Sequence, residues 1–226
     1  MYNSEASRAE ETVWLVGAGG HARVVVDILA SCRCRNIFLV DDDPSRHGRL
    51  VAGHPVVGGR ECLLAATREN PGLRVIAAIG SNQARALVFT WLREQHDLAV
   101  SKALHPAAVI GSEVSIGRGT VVMAGVVINP GAAVGCNVII NTHATIEHDC
   151  RLGDHVHVAP GAVLCGEVRV GAETFIGTGA TVIPGISIGA GVVVGAGATV
   201  VNDIGDGLTV AGTPAAVVDR REDGQP

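Results

Sequence analysis

The sequence predicts a small parallel α/β domain followed by a parallel β-helix built on a six-residue repeat. Three observations carry this. From Leu104 to Val200 an aliphatic residue leads every hexapeptide, 17 in all, among them Ile110, Val122, Ile140, Ile146, Leu164 and Ile188. Apolar residues make up 47% of the 226-residue chain but aromatic ones only 3%, which suits stacked coils with no room for large rings. Ahead of the repeat, apolar runs and helix-like stretches alternate in strand, helix, strand order.

Taken in order, residues 1–11 are polar and are expected to fray. Thr12–Ala18 reads as a buried strand. It runs into Gly17-Ala18-Gly19-Gly20-His21-Ala22, which opens a helix extending to Leu29. Asn36–Val40 is a second strand, ending at Asp41, Asp42 and Asp43. Pro55–Gly59 reads as a turn-rich patch. Arg74–Ile79 is a third strand, closed by Gly80-Ser81-Asn82, with a helix from about Gln83 to Gln95. Leu98–Leu104 leads into the repeat, and His105-Pro106 marks the junction, because the residue before proline is pushed out of helix. The expected division is 1–103 for the α/β domain, 104–205 for the solenoid and 206–226 for a C-terminal tail.

Within each hexapeptide a small or β-branched residue (Val114, Ala132, Ala144, Cys150, Ala162) follows the lead by four. Side chains alternate along a strand, so this residue and the next lead point to one interior. Glycine often follows the lead directly (Gly117, Gly135, Gly153, Gly171), as expected of a tightly turned corner. A coil is three hexapeptides, so residues 18 apart stack at about one strand spacing, roughly 4.8 Å.

Net charge is −5, which leaves no basic footprint for nucleic acid. No apolar run is long and glycine-poor enough for a membrane span. Glu5, Arg8, Glu10 and Glu11 do not make the basic-then-apolar order of a signal peptide. The six cysteines form no Cys-x-x-Cys pair, so free thiols in a cytoplasmic protein are expected.

Open parallel sheets bind ligands beyond the carboxyl ends of their strands. Three such ends are polar here. A glycine loop opening a helix suits phosphate, through free N–H groups and the helix dipole. An acidic residue at the next strand end suits ribose hydroxyls or a base N–H. Together Gly19, Gly20, His21, Asp41, Asp42, Ser81 and Asn82 suggest a nucleotide site; the other reading of the glycine loop is a mere tight turn. Gly17-x-Gly19-x-x-Ala22 also fits a Rossmann-like dinucleotide fingerprint, but three strands are too few for NAD.

In the solenoid, polar residues concentrate at Asn141, Thr142, His143, Glu147, His148, Asp149, Asp154, His155 and His157, and a β-helix is expected to need none of them for folding. His148 and Asp149 sit at a corner, where the carboxylate can hold the imidazole in one tautomer. That is a general-base arrangement, worth roughly 10²–10⁴ in rate. Gly166 stacks on His148, and its N–H is a candidate oxyanion donor.

Together, the repeat, the Asn141-x6-His148-Asp149-Cys150-x-Leu152-Gly153 segment, the Gly17–His21 loop and the His105-Pro106-x-Ala108 junction resemble the hexapeptide sugar acyltransferases of the PglD, NeuD and perosamine N-acetyltransferase group. The resemblance runs from about Val13 to Ala215. It implies a left-handed β-helix, a homotrimer and active sites between subunits. It implies acetyl-CoA as donor, no metal, and a nucleotide-linked 4-amino-4,6-dideoxy sugar as acceptor. By the same resemblance His148 is the base with Asp149 beside it, Gly166 supplies the oxyanion N–H, and His157 and Asn141 lie on the acetyl-CoA side. One departure is visible: Gly212-Thr213-Pro214-Ala215 is followed by Ala216 where the family carries Lys or Arg, leaving Arg220 or Arg221 as substitutes for a phosphate partner. Three rival readings are a sialic-acid-type O-acetyltransferase, a zinc hydrolyase like the gamma-class carbonic anhydrases using His143 and His148, and a non-catalytic trimeric scaffold.

Overall fold

The computed structural model describes residues 12–218. The polar 1–11 stretch and Arg220 and Arg221 lie outside them. The N-terminal domain is a six-stranded sheet in the order β3-β4-β2-β1-β5-β6. Its elements are β1 (Thr12–Val16), α1 (Gly20–Ser31), β2 (Asn36–Val40), β3 (Leu50–Val51), β4 (His54–Gly58), α2 (Arg60–Glu69), β5 (Leu73–Ala77), α3 (Asn82–Glu94) and β6 (Leu98–Val100). All pairings are parallel except the β3–β4 hairpin. β1 lies at the centre, and Val13 and Leu15 are fully buried.

Two expectations are corrected here. The Pro55–Gly59 patch belongs mostly to β4, a strand paired to β2 with a register shift after Leu39. Pro55 and the Gly58-Gly59 pair are turn signals by composition, and the bulge interrupts the alternation that would have marked a strand. Helix α2 was not expected. It buries Leu63 and Thr67 and packs Cys62 and Ala66 beside them, but in sequence its apolar residues form one short run, Cys62 to Ala66, which periodicity alone does not assign to helix or strand.

The solenoid matches the predicted register. Val121 pairs with Ile139, Thr145 with Val163 and Ala133 with Arg151, each 18 residues apart. Three parallel sheets result, forming the faces of a triangular prism. The first face runs through Ala103–Leu104, Val121–Val122, Ile139–Ile140, His157–Val158 and Phe175–Ile176. The second includes Val109–Ile110, Val127–Ile128, Thr145–Ile146 and Val163–Leu164. The third includes Ser115–Ile116, Ala133–Val134, Arg151–Leu152 and Arg169–Val170. Every lead from Val122 to Val200 is buried, each aliphatic side chain contributing about 1.5–3 kcal/mol by leaving water. The buried hydroxyls of Thr120 and Thr174 are satisfied: each donates to a carbonyl (Gly135, Gly189) and accepts an N–H (Val138, Val192).

Strand pairing continues past residue 205. Thr209–Ala211 adds to the first face beside Val193–Val194, and Val210 packs in the solenoid core.

The corners work differently from the sequence expectation. Positive φ falls three residues after the lead, at Gly119, Gly131, Asn137, His143, Asp149 and His155. The glycine just after the lead serves close approach instead. A Cβ on Gly117 would come within 2.5 Å of the Gly135 backbone one coil on.

Helix α1 joins the two units. Its buried side packs with the sheet and with Ala103, Val121, Met123 and Ile139 from the outside of the first face.

Candidate active site

Three features of the α/β domain build a cleft of about 420 Å³. It is lined by Gly17, Ala18, Gly19, Gly20, His21, Asp41, Asp42, Arg46, Ile79 and Gly80, among others. Gly17 has φ +109°, and a Cβ there would meet the Ala78 carbonyl, so only glycine lets β1 turn this closely past β5. Helix α1 begins at Gly19 with no side-chain cap and no acidic residue in its first turn, so its free N–H groups open towards the cleft. Asp41 keeps the loop in shape. Its Oδ2 accepts from the Ala18 N–H at 2.7 Å and from Arg46 at 3.0 Å, and its Oδ1 accepts from the Asp43 N–H. Asp42 lines the cleft and pairs with Arg60 at 2.8 Å.

Ser81 and Asn82 are placed otherwise. The Ser81 hydroxyl caps α3 by accepting the Ala84 N–H. The Asn82 amide donates to the Glu173 and Thr174 carbonyls of the solenoid.

The four histidines of the polar segment do not converge. His143 sits at the corner between the first and second faces, His148 between the second and third, and His155 between the third and first. His157 is a strand residue pointing outward from the first face. Fifteen residues nearly circle the prism, so closeness in sequence disperses them. His143 and His148 in particular occupy different corners. Among the described residues, no group of His, Cys, Asp and Glu stands at metal-binding geometry.

The expectation that the fold needs none of these polar residues is also corrected. The Asp154 carboxylate accepts the Cys136 N–H at 2.7 Å, capping an exposed corner amide. The His155 ring sits 2.8 Å from the Asn137 side chain and edge-on to Phe89. Glu147 accepts from Asn129 at 2.8 Å.

His148 and Asp149 do meet. His148 Nδ1 lies 3.0 Å from Asp149 Oδ2, both side chains more than half exposed. When Nδ1 carries the proton, Nε2 keeps its lone pair. The hydrogen bond to Asp149 raises the His148 pKa above its ordinary value, opposed by desolvation and supported by the charges of Asp149, Glu147 and Glu167. The ring packs over Gly166 one coil on, where a Cβ would come within 2.5 Å of Nε2. The neighbouring Glu167 N–H is spent on the His148 carbonyl at 2.9 Å. Among the described residues, the Gly166 N–H donates to no acceptor.

Gly166→Ala therefore tests the packing. Residue 166 has no positive φ, so the backbone accepts alanine, and the atom in the way belongs to a movable ring. The variant should melt within a few degrees of the parent, while kcat falls about tenfold or more because the imidazole is displaced. Calorimetric melting together with steady-state kinetics checks both halves.

His157 lies beside Gly80 at the edge of the cleft, on the opposite side of the prism from the His148 corner. Asn141 Nδ2 is 3.2 Å from its Nε2, and the Gly80 backbone is a hydrogen-bond partner. Phe175 meets the ring edge-on at 5.1 Å. Burial, then the Arg85 charge, pushes its pKa down to about 4. His21 is likewise lowered to about 4, by burial first and then by Arg85 and His157. Both rings are neutral at physiological pH. Among the described residues the buried His21 Nε2 has no hydrogen-bond partner, and His21 lines the cleft.

Sequence reasoning missed two residues here. Arg46 puts a guanidinium on the cleft beside Gly19. Arg85 is 1% exposed at the seam of the two domains. Its signal was present: it shares a helical face with Phe89 and Leu92, an arginine on an apolar stripe.

Fold and site together define a hexapeptide transferase with a fused α/β domain. Residues 12–92 match the PglD N-terminal domain, and 131–166 match the bacterial transferase hexapeptide repeats. Perosamine N-acetyltransferase from Caulobacter crescentus, solved with CoA and GDP-perosamine, is 40% identical with a TM-score of 0.87, over 93% of this chain and 98% of that one. Variants of that enzyme with one histidine replaced by asparagine or alanine have also been solved. The acetyltransferase domain of PglB from Neisseria gonorrhoeae, solved with acetyl coenzyme A, is 37% identical with a TM-score of 0.86, over 92% and 99% of the two chains. WeeI from Acinetobacter baumannii is 25% identical with a TM-score of 0.81, over 92% and 100%. The chain belongs to the PglD-like hexapeptide sugar acetyltransferases, and its solenoid is the left-handed β-helix of that family. No helix among the described residues is long and apolar enough to cross a membrane.

Proposed function

We propose that this chain is an acetyl-CoA-dependent N-acetyltransferase acting on the 4-amino group of a nucleotide-linked 4-amino-4,6-dideoxy sugar, in the cytoplasm. The carrying observation is the His148 imidazole, oriented by Asp149 at 3.0 Å and lying over Gly166, whose N–H donates to no acceptor among the described residues. The amine lone pair attacks the thioester carbonyl carbon while His148 Nε2 takes a proton from that nitrogen. The oxyanion of the tetrahedral intermediate accepts the Gly166 N–H. Collapse breaks the C–S bond, and the imidazolium returns its proton to the departing CoA sulfur. His157 and Asn141 remain coenzyme-side residues in this reading. The nucleotide occupies the cleft, its phosphates at the start of α1 and beside Arg46.

One chain does not complete such a site. The cleft adjoins the first face, whereas His148 stands at the corner opposite that face. A second copy must bring its His148 corner to the cleft. The second face fits the contact. Its outward positions are Val109, Val127, Thr145, Val163, Thr181 and Thr199, a charge-free stripe in which Val109 is 61% exposed. The third face instead exposes Arg151 and Arg169, and α1 covers much of the first. Three second faces around one axis bury the apolar stripe and set each His148 corner against a neighbour, giving a homotrimer.

The direct test follows acetyl-CoA consumption against UDP-, GDP- and dTDP-linked 4-amino sugars, with free sialic acid alongside. Turnover with a nucleotide-linked amino sugar supports the reading. Turnover with sialic acid alone replaces it by O-acetylation.

A further inference from the structure

The Ile79–Gly80 wall of the cleft is held by a residue that is buried and does not line the cleft. Arg85 on α3 has five N–H donors, and every acceptor around it is a carbonyl. Nε donates to Asn137 O at 3.0 Å. Nη1 donates to Gly80 O at 3.1 Å and Ile79 O at 3.4 Å. Nη2 donates to His155 O at 2.8 Å, Asn82 Oδ1 at 3.0 Å and Val156 O at 3.4 Å. Asn137, His155 and Val156 belong to two successive coils of the solenoid, whereas Ile79 and Gly80 line the cleft. The Asn137 amide returns the contact by donating to Arg85 O at 3.2 Å. One planar fork thus ties the third strand end of the α/β domain to the prism. A lysine carries its three N–H donors on one nitrogen and cannot span both sets of carbonyls.

Building on the reading of the cleft as the nucleotide site, we propose that Arg85 is a positioning residue that couples the nucleotide cleft to the solenoid by fixing the Ile79–Gly80 wall against the Asn137 and His155 corner. Nucleotide affinity then depends on a guanidinium outside the cleft, and nucleotide binding stiffens a part of the solenoid it does not touch. Burial first, and the Arg85 charge after it, keep His21 and His157 neutral.

The test compares Arg85→Lys and Arg85→Gln with the parent full-length protein. GDP and UDP are titrated calorimetrically, and KM for acetyl-CoA is measured in turnover, with oligomeric state and melting temperature as folding controls. Both variants should raise the Kd of whichever nucleotide the parent binds by about tenfold or more, the weight of one to two buried hydrogen bonds to a charged group, with KM for acetyl-CoA within about twofold. Parental nucleotide affinity in folded Arg85→Lys, or an equal loss on the coenzyme side, overturns the proposal. Hydrogen exchange on the parent protein decides the matter if neither variant folds. Nucleotide alone should slow exchange around residues 79–82 and also around 136–139 and 154–158, and slowing confined to the α/β domain rejects the coupling. A parent that binds neither nucleotide defeats the reading of the cleft itself, a separate result from variants that bind as the parent does.

Discussion

Replacing His148 by alanine is expected to lower kcat by roughly 10²-fold or more while KM for either substrate moves little, because it removes a base without removing much binding surface. The amine must lose a proton as it adds to the thioester, and His148 Nε2 is free to take it once Nδ1 is tied to Asp149. Working pH follows from the sign of the pKa shift. Asp149 stabilises the imidazolium and raises the His148 pKa, while the base acts only when neutral. The acidic limb of kcat/KM should therefore lie above the ordinary histidine value of about 6.5. Asp149→Asn removes the charge that favours the imidazolium, so this limb should move to lower pH. Its maximal kcat should fall by less than in His148→Ala, since the base remains but its orientation loosens. Steady-state kinetics from about pH 5.5 to 9 checks all three. A His148→Ala enzyme with parental kcat would mean that the amine arrives neutral and that positioning alone suffices.

How much of this was legible in sequence depended on whether the relevant geometry repeats. The solenoid was legible to the residue because the coil length is a multiple of the hexapeptide. The 18-residue spacing from His148 to Gly166 is one turn of the fold and needed no tertiary information. The role of the corner glycines was not legible, because close approach between coils and positive φ leave the same compositional mark. The histidine cluster misled for a related reason. Spacing in sequence measures angle around the prism, and His143, His148 and His155 fall on three different corners. In the α/β domain, β1, β2 and β5 were readable as long apolar runs ending in polar residues. β4 was hidden by Pro55 and its bulge, and α2 by the short unbroken apolar run from Cys62 to Ala66, which fits helix and strand alike. Arg85 escaped because its partners are carbonyls, which every residue carries, so nothing in the sequence marks which ones surround it.

Mixing two inactive variants should restore activity, an all-or-none difference that tests the shared site directly. His148→Ala leaves the cleft intact but removes the base. Gly19→Glu leaves His148 intact but places a carboxylate at the start of α1, where phosphates would sit. Gly19 has φ −88°, and the nearest atom to a Cβ there is Arg46 Nη1 at 3.6 Å, so the fold should accept the substitution. Each variant alone is expected to be nearly silent. Co-refolded at equal concentrations, they are expected to form mixed trimers in which some contacts join the intact cleft of one chain to the intact His148 of its neighbour. Random assembly gives each contact one chance in two for each partner, so about a quarter of parental activity should return. If one chain held both the cleft and the base of its own site, every site in the mixture would carry a lesion and activity would stay at the level of the single variants. The first face and the corner opposite it cannot meet within one triangular coil, and that geometry is why recovery is the expected result.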